Sequence, residues 1–178
     1  MRILFGTILS ITIFLVSCKK DVGVDSKNIV QGQVQFTINN GVTLKQCLDA
    51  FKDLGVTEYD LTNFYYSKVI PNDSMKYYWN LLKARPYITV FNVQKMTGDI
   101  QTRFNALKFK NLTDSNFHEW DSIVKKESLI EMPDIGDGNR RNGLIYIAPG
   151  QEKIWIERLK KLSIIYSADY MRVYTPFC

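Results

Sequence analysis

One pattern of turn, helix and strand occurs twice in this chain, and it restricts the possible folds more than any other feature. Residues 70–88 align without a gap on residues 147–165. In both segments a turn that contains proline precedes a helix with neighbouring apolar positions, and an apolar strand follows. Few aligned residues are identical, so the match depends on the pattern of side chains. The repetition predicts two copies of one supersecondary unit.

The residues before the first copy predict the start of that unit. Residues 34–38 alternate between apolar and polar side chains, which is the period of a strand with one buried face. Thr43 begins a capping box, and the apolar stripe of the helix that follows ends at Gly55. Residues 58–70 are rich in tyrosine and phenylalanine, and residues 60–63 interrupt them, so two strands joined by a turn are predicted.

A helix and a strand complete the first unit. The helix starts at Asp73 and ends at Arg85, because Pro86 lacks an amide hydrogen and disfavours helical backbone in the residue before it. Residues 87–93 form the closing strand. The resulting order, β-α-β-β-α-β, is that of a ferredoxin-like unit.

The second half of the chain repeats this order. Its predicted elements are strand 100–109, a helix capped by Thr113, strands 129–132 and 144–148, helix 152–162 and strand 164–171. The predicted fold class is therefore α+β, with two tandem ferredoxin-like units at residues 32–96 and 97–178, each built on an antiparallel sheet. Both helices of such a unit lie on one face of its sheet, so the other face needs cover from the second unit or from a partner.

The N-terminus predicts export from the cell. Arg2 is followed by an uncharged, mainly apolar run at residues 3–16. This run is too short to cross a bilayer comfortably and is typical of a signal peptide.

The sequence Leu-Val-Ser-Cys at residues 15–18 resembles the bacterial lipobox. The resemblance implies that residues 1–17 are removed, that Cys18 is acylated, and that its acyl chains anchor the protein to a membrane of the bacterial cell envelope. The outer membrane is favoured over the inner one. Residues 18–31 are polar and without a sustained period, so they form a tether. The alternative is an ordinary secretory signal that is cleaved near Ser17 and leaves Cys18 free.

The charge balance does not predict nucleic-acid binding. The chain has 23 basic and 18 acidic residues, a net charge of +5 and an isoelectric point near 9.0. This mild excess of basic residues is expected of a solvated surface that can also contact anionic lipid or envelope polymer.

Two cysteines remain once Cys18 is acylated. Cys47 lies on the apolar side of a predicted helix, and Cys178 is the last residue. A buried thiol and a chain end are favoured, and a disulfide between the two is the alternative.

The sequence lacks the residues that several kinds of catalytic site and metal site require. His118 is the only histidine, so neither a histidine and cysteine metal site nor a base for a serine or cysteine nucleophile is expected. An EF-hand calcium loop beginning at Asp134 would have Gly136, Gly138 and Ile145 at ligand positions. We therefore predict no catalytic residue, no metal and no cofactor. Two distant carboxylates that converge for glycoside hydrolysis remain open.

Tyr65, Tyr78 and Trp79 are candidate ligand contacts. They belong to a group of aromatic residues in the first unit. Exposed aromatic rings beside polar groups can bind sugars or extended peptides, although strand and helix spacing also explains most of these residues as core. A glycan-binding surface is therefore the alternative function, and strand addition by a peptide at a sheet edge is a further possibility.

Residues 144–170 resemble the end of the propeptide domains of subtilisin-like proteases, particularly those of fervidolysin-type enzymes. The residues that carry the resemblance are Ile147, Ala148, Pro149 and Gly150 in a turn, Glu152, Trp155 and Leu159 in a helix, and Ala168, Asp169 and Tyr170 at the end of a strand. The resemblance implies a ferredoxin-like fold and an inhibitor whose C-terminal tail enters a protease active site. The candidate inhibitory residues are then Tyr170, Arg172 and Tyr174, although Tyr170 stands where the family has proline or asparagine.

These features together predict a non-catalytic, lipid-anchored envelope protein that binds a protein or peptide partner. The lipobox gives the location, and the missing catalytic constellations argue against an enzyme. The identity of the partner, the membrane leaflet and the oligomeric state stay open.

Overall fold

A computed structural model of the chain describes residues 28–69, 74–95, 101–132 and 140–173. The predicted signal peptide, Cys18, most of the tether, Tyr174 and Cys178 lie outside the described residues. The fold is α+β. Its elements are β1 (Ile29–Ile38), α1 (Leu44–Leu54), β2 (Tyr59–Val69), α2 (Met75–Lys83), β3 (Ile88–Lys95), β4 (Gln101–Lys110), α3 (Asp114–Lys126), β5 (Ile130–Met132), β6 (Asn142–Tyr146), α4 (Glu152–Lys160) and β7 (Ile165–Arg172).

The seven strands of the described residues join one antiparallel sheet. Its order is β3-β4-β2-β6-β1-β7, and β5 also pairs with β2. Strands of the two predicted units interleave, because β1 lies between β6 and β7 while β4 lies between β3 and β2. The prediction of two tandem ferredoxin-like units is therefore not confirmed.

The cause of this difference is that local patterns do not specify pairing partners. The amide of Ile38 donates to the carbonyl of Arg141 at 2.9 Å, and the amide of Asn39 donates to Ile164 at 2.8 Å. Alternation along a strand shows which side chains are buried, but it does not show which distant strand supplies the hydrogen bonds.

β2 is one strand, and the predicted turn at residues 60–63 is wrong. Asn63 has a left-handed φ of 65°, and the register with β4 shifts between Leu61 and Phe64. Such a bulge adds a residue to the strand and reverses the alternation of its side chains. Leu61 and Phe64 can therefore both be buried, although three positions separate them.

β2 also connects two groups of strands. It pairs with β4 along one side, while on its other side residues 59–62 pair with β6 and residues 65–67 pair with β5. One group has the spatial order β7-β1-β6-β2 and the other β5-β2-β4-β3. Along the chain, each group follows the order strand, helix, strand, strand, helix, strand.

The helix caps follow the sequence signals. The Thr43 side chain accepts a hydrogen bond from the Gln46 amide, and the Gln46 side chain accepts one from the Thr43 amide, which confirms the capping box. Gly55 ends α1 with a φ of 72°, and Thr113 caps α3. None of the helices in the described residues has the length and apolar composition of a membrane span.

One hydrophobic core joins the four described helices to one face of the sheet. Phe36 of β1 meets Phe51 of α1 edge to face with ring centres 5.4 Å apart, and Phe109 of β4 meets Trp120 of α3 at 5.5 Å. The buried apolar side chains of the four helices all belong to this core. The opposite face of the central strands, called the open face below, is not covered by a described helix.

Candidate binding groove on the open face

A groove of about 310 Å³ lies on the open face across β7, β1, β6 and β2. Its volume is at the lower end of the range of ligand pockets, about 300–1,000 Å³. Alternation explains its polarity, because the apolar residues of these strands point into the core while the residues between them line the groove. The polar side chains include Gln35, Thr37, Thr62, Asn142, Ser167 and Asp169.

Asp60 is the buried charge of this groove, with only 4% of the residue exposed. The Lys108 ammonium nitrogen lies 2.7 Å from Asp60 Oδ2, and the Tyr146 hydroxyl donates to the same oxygen at 3.0 Å. Oδ1 is buried and accepts no hydrogen bond from the described residues. A buried polar atom without a partner costs about 1–3 kcal/mol. Asp60 therefore has one acceptor position that no described residue fills.

Tyr146 supplies its hydrogen bond over the whole physiological pH range. Partial burial raises the pKa of its hydroxyl, and the neighbouring Asp60 carboxylate raises it further. The hydroxyl thus stays protonated and keeps donating to Asp60.

Hydrogen bonds between side chains hold the polar residues of the groove in place. Thr37 Oγ1 donates to Asn142 Oδ1 at 3.1 Å, and Thr62 Oγ1 donates to the Asn142 carbonyl at 3.2 Å. Asn142 Nδ2 in turn donates to the Arg140 carbonyl at 2.8 Å. These bonds connect β1, β6 and β2, so the groove presents a pre-organised set of polar groups.

Close packing behind the groove depends on a glycine. Phe36 and Gly143 are direct partners of β1 and β6, and the Phe36 ring lies over Gly143 on the core side. A Cβ at position 143 would lie 2.0 Å from Phe36 Cζ, far closer than van der Waals contact. The absence of a side chain therefore allows the two strands of the groove to keep this packing.

A second ionic cluster lies beside the core. The buried Arg141 Nη2 is 3.3 Å from Glu131 Oε1 and donates to the Met132 carbonyl at 2.5 Å. Its other terminal nitrogen donates to the Val42 carbonyl, and the guanidinium lies 4.6 Å from the centre of the Phe64 ring. This arginine therefore connects β5, β6 and the start of α1.

Both oxygens of Glu131 are used. Oε1 accepts the amide of Leu44 at the start of α1 at 3.0 Å, and Oε2 accepts the Tyr66 hydroxyl at 3.4 Å. Tyr66 also accepts Trp120 Nε1 at 3.1 Å. Burial raises the pKa of Glu131, and the charge of Arg141 opposes that effect. Because both of its oxygens have partners, we regard Glu131 and its contacts as scaffold.

Tyr78, a predicted ligand contact, is buried in another polar cluster. Its hydroxyl donates to Glu127 at 2.9 Å and accepts the Lys68 ammonium group at 2.7 Å. Although burial alone would raise it, the pKa of Glu127 is lowered by hydrogen bonds from Tyr77 and Tyr78. These contacts attach α2 to the end of α3.

Tyr65, Tyr78 and Trp79 do not form one exposed platform. Tyr65 is buried and opposes Met132 of β5. Strand alternation directs it away from the side of β2 that carries Lys68, the partner of Tyr78. Trp79 is 46% exposed on α2. Ligand contact by these residues stays a prediction.

Tyr170 and Arg172 lie within β7 and not in a free tail. Tyr170 opposes Val34, and Arg172 opposes Ile29 near the start of β1. The half-buried Tyr170 packs against the core, while Arg172 Nη2 is 3.7 Å from Asp169. The inhibitory role of Tyr170 and Arg172 stays a prediction, as does that of Tyr174 outside the described residues.

Cys47 is a free and fully buried thiol, and burial raises its pKa to about 12. His118 is exposed on α3. Within the described ranges, no three histidine, cysteine, aspartate or glutamate residues are grouped so that they could hold a metal ion.

No protein-family model matches this chain, and no curated protein or solved structure is detectably similar to it. The candidate site is therefore supported by its geometry alone.

The sequence does not predict a site at Asp60, Lys108 and Tyr146. The polar residues at 60–63 interrupt an aromatic run, and this interruption predicts a turn at residue 60. The available signal was alternation, since Asp60 is a charged residue between the apolar Tyr59 and Leu61. That pattern indicates a charge on the less covered face of a strand.

Proposed function

We propose that this chain is a non-catalytic, lipid-anchored protein of the bacterial cell envelope that binds a protein or peptide partner through the groove on its open face. The observation that carries the proposal is Asp60, a buried carboxylate beside a groove with one oxygen that accepts no hydrogen bond from the described residues. The terminal torsion of an aspartate is broad, so the carboxylate can turn this oxygen toward the groove, where a polypeptide offers N–H donors to it. The carbonyls of the polypeptide can accept from Lys108. Leu144 and Met171 add apolar contact for its side chains.

Site-specific photocrosslinking tests this proposal. A photoreactive amino acid replaces Ser167, exposed in the groove, or Ser122, exposed on α3, in the full-length protein in its native envelope. The probe at position 167 should capture a defined protein that the probe at 122 does not, and Asp60→Asn should reduce that capture. Equal capture at both positions, or none at 167, would contradict the proposal.

The proposal of a lipid anchor is based on the lipobox sequence that ends at Cys18. Mass spectrometry of the mature protein should find acyl chains on Cys18 as the first residue. Cys18→Ser should remove the acylation. An unmodified Cys18 in a mature protein cleaved elsewhere would instead support an ordinary secretory signal.

We infer for the fold two interlocked ferredoxin-like units in place of tandem ones. The strand groups β7-β1-β6-β2 and β5-β2-β4-β3 support this inference, because each matches the split β-α-β order and both contain β2. An experimental structure that assigned β2 to one group only would contradict it.

Protease inhibition is a specific form of the proposal, and it follows from the resemblance to propeptides. Since Tyr170 and Arg172 belong to β7, the tail to be tested is residues 174–178. Deletion of these five residues should abolish inhibition of a subtilisin-like protease, whereas Asp60→Asn should leave a tail-dependent inhibition intact.

Glycan binding is the second candidate, and the exposure of Trp79 and Tyr77 on α2 favours it. Trp79→Ala should then remove binding on a glycan array. A flat array with the unaltered protein would exclude this function for the glycans displayed.

A further inference from the structure

The end of the sheet where the tether joins the folded residues has a distinct surface. Asn28 is the first described residue, and its carbonyl accepts the amide of Val173 at 2.9 Å. Nearby, the carboxylate of Glu152 at the start of α4 accepts the amide of Gly32 at 2.7 Å. The beginning of β1, the end of β7 and the beginning of α4 therefore lie together. We call them the tether end.

Two exposed apolar side chains mark the tether end. Ile154 is 53% exposed and Val173 is 54% exposed. Ile29 is half-buried, and the basic residues Lys153 and Arg172 lie next to the two apolar ones in the sequence. Apolar side chains beside basic ones are the composition of surfaces that lie in a membrane interface.

The length of the tether limits what this surface can meet. If Cys18 is the acylated first residue, the nine residues between it and Asn28 give ten Cα–Cα steps, which reach about 35 Å when fully extended. The tether end then stays within that distance of the bilayer.

We propose that the tether end lies against the membrane surface, with Ile154 and Val173 in the headgroup region and Lys153 and Arg172 toward anionic headgroups. This inference rests on the lipid anchor of the proposed function and not on the groove. Insertion of the two apolar side chains removes them from water, and each basic residue near an anionic surface adds attraction.

Fluorescence quenching tests the inference in the full-length lipidated protein. An environment-sensitive dye is attached to a cysteine at position 154 or 173 in a Cys178→Ser background, where Cys47 is buried and Cys18 is acylated. The matched controls carry the dye at Ile130 or Tyr166, which are 64% and 62% exposed near the starts of β5 and β7. Those starts lie at the opposite end of the sheet, since Ile130 pairs with Ser67 and Ile165 pairs with Ile38.

In vesicles of phosphatidylethanolamine and phosphatidylglycerol with a quencher on the headgroup, dyes at 154 and 173 should be quenched and the control dyes should not. A dye at Lys153 should lose most of its quenching in an Ile154→Ser, Val173→Ser variant, since loss of two apolar contacts weakens docking about tenfold or more. Quenching that is equal at both ends would overturn the inference. Acylated Cys18 without quenching at 154 and 173 would overturn it and leave the anchor intact, whereas absence of acylation would count against the anchor itself.

Discussion

Asp60 and Glu131 are both carboxylates with a basic partner and a tyrosine, yet their surroundings differ. Glu131 uses both oxygens and connects Arg141, Tyr66 and the first amide of α1. Lys108 and Tyr146 both contact the same oxygen of Asp60, and Asp60 lies beside a groove. A carboxylate with both oxygens bonded holds elements together, while one with an unpaired oxygen can accept a further donor. The difference separates scaffold from candidate site on geometry alone.

The largest expected effect is a loss of stability when the cluster of Glu131 and Arg141 is disrupted. Arg141→Ala leaves the Glu131 charge and two backbone carbonyls without their partner, so it should lower the free energy of unfolding by about 3–5 kcal/mol. Urea unfolding followed by circular dichroism measures this change. Lys160→Ala, at an exposed position of α4, is the control and should have almost no effect. A loss below about 1 kcal/mol for Arg141→Ala would show that the cluster is not scaffold.

A smaller loss of stability is expected from a substitution in β6, the strand that carries Tyr146 and directly follows Arg141. Gly143→Ala places a Cβ against the Phe36 ring, and the strain should cost about 1–3 kcal/mol. Thermal unfolding gives the comparison with Ser122→Ala on the exposed side of α3. If Gly143→Ala is also found to lower groove binding, the packing behind the groove contributes to its shape. An unchanged melting temperature would contradict the close packing of β1 and β6.

The pH dependence of stability should distinguish two glutamates. Hydrogen bonds from the amides of Gly32 and Gly150 lower the pKa of Glu152, so its stabilisation is complete above the ordinary glutamate pKa of about 4.3 and is lost as the pH falls below it. Burial raises the pKa of Glu131, so the folded chain takes up that proton first and gains stability as the pH falls toward 4.3.

Two variants and urea unfolding at several pH values measure these contributions. Glu152→Gln should reduce the loss of stability below pH 4.3, and Glu131→Gln should remove the gain above it. Identical pH profiles for both variants and the unaltered protein would show that neither carboxyl group is coupled to folding in this way.

The smallest expected effect on stability is that of Asp60→Asn. The amide oxygen can still accept from Tyr146, and the partly exposed Lys108 regains water, so the free energy of unfolding should change by about 1 kcal/mol or less. Binding of the partner captured at position 167 should nevertheless fall. Asp49→Asn on α1, whose ion pair with Lys45 is exposed, is the matched control. A large loss of stability with unchanged binding would place Asp60 with Glu131 in the scaffold.

Local structure could be predicted from the sequence because its signals lie within a few residues. The capping box at Thr43 and the cap at Thr113 depend on side chains that bond to amides three positions away. The strand at residues 34–38 followed from alternation. Sheet order could not be predicted, because β1 pairs with strands more than a hundred residues later in the chain and many such pairings satisfy the same alternation.

The groove was less predictable than the fold for a related reason. Asp60, Lys108 and Tyr146 come from three separate strands, and only the final sheet order brings them together. The bulge at Asn63 also reverses the alternation of β2, so residues 65 and 67 no longer continue the face of residues 59 and 61. The left-handed residue Asn63 therefore reverses which side chains of β2 face the core beyond residue 63.

The position of β1 between β6 and β7 has a consequence for the order in which the chain can fold during synthesis. β1 is made before the other described strands, whereas its neighbours β6 and β7 are made after all of them. The apolar side chains Val34, Phe36 and Ile38 of β1 therefore cannot reach their buried positions between these neighbours until the other described strands exist. Pairing across such sequence separations slows folding and prolongs exposure to aggregation. The sheet order therefore favours folding after β7 has been made over folding strand by strand.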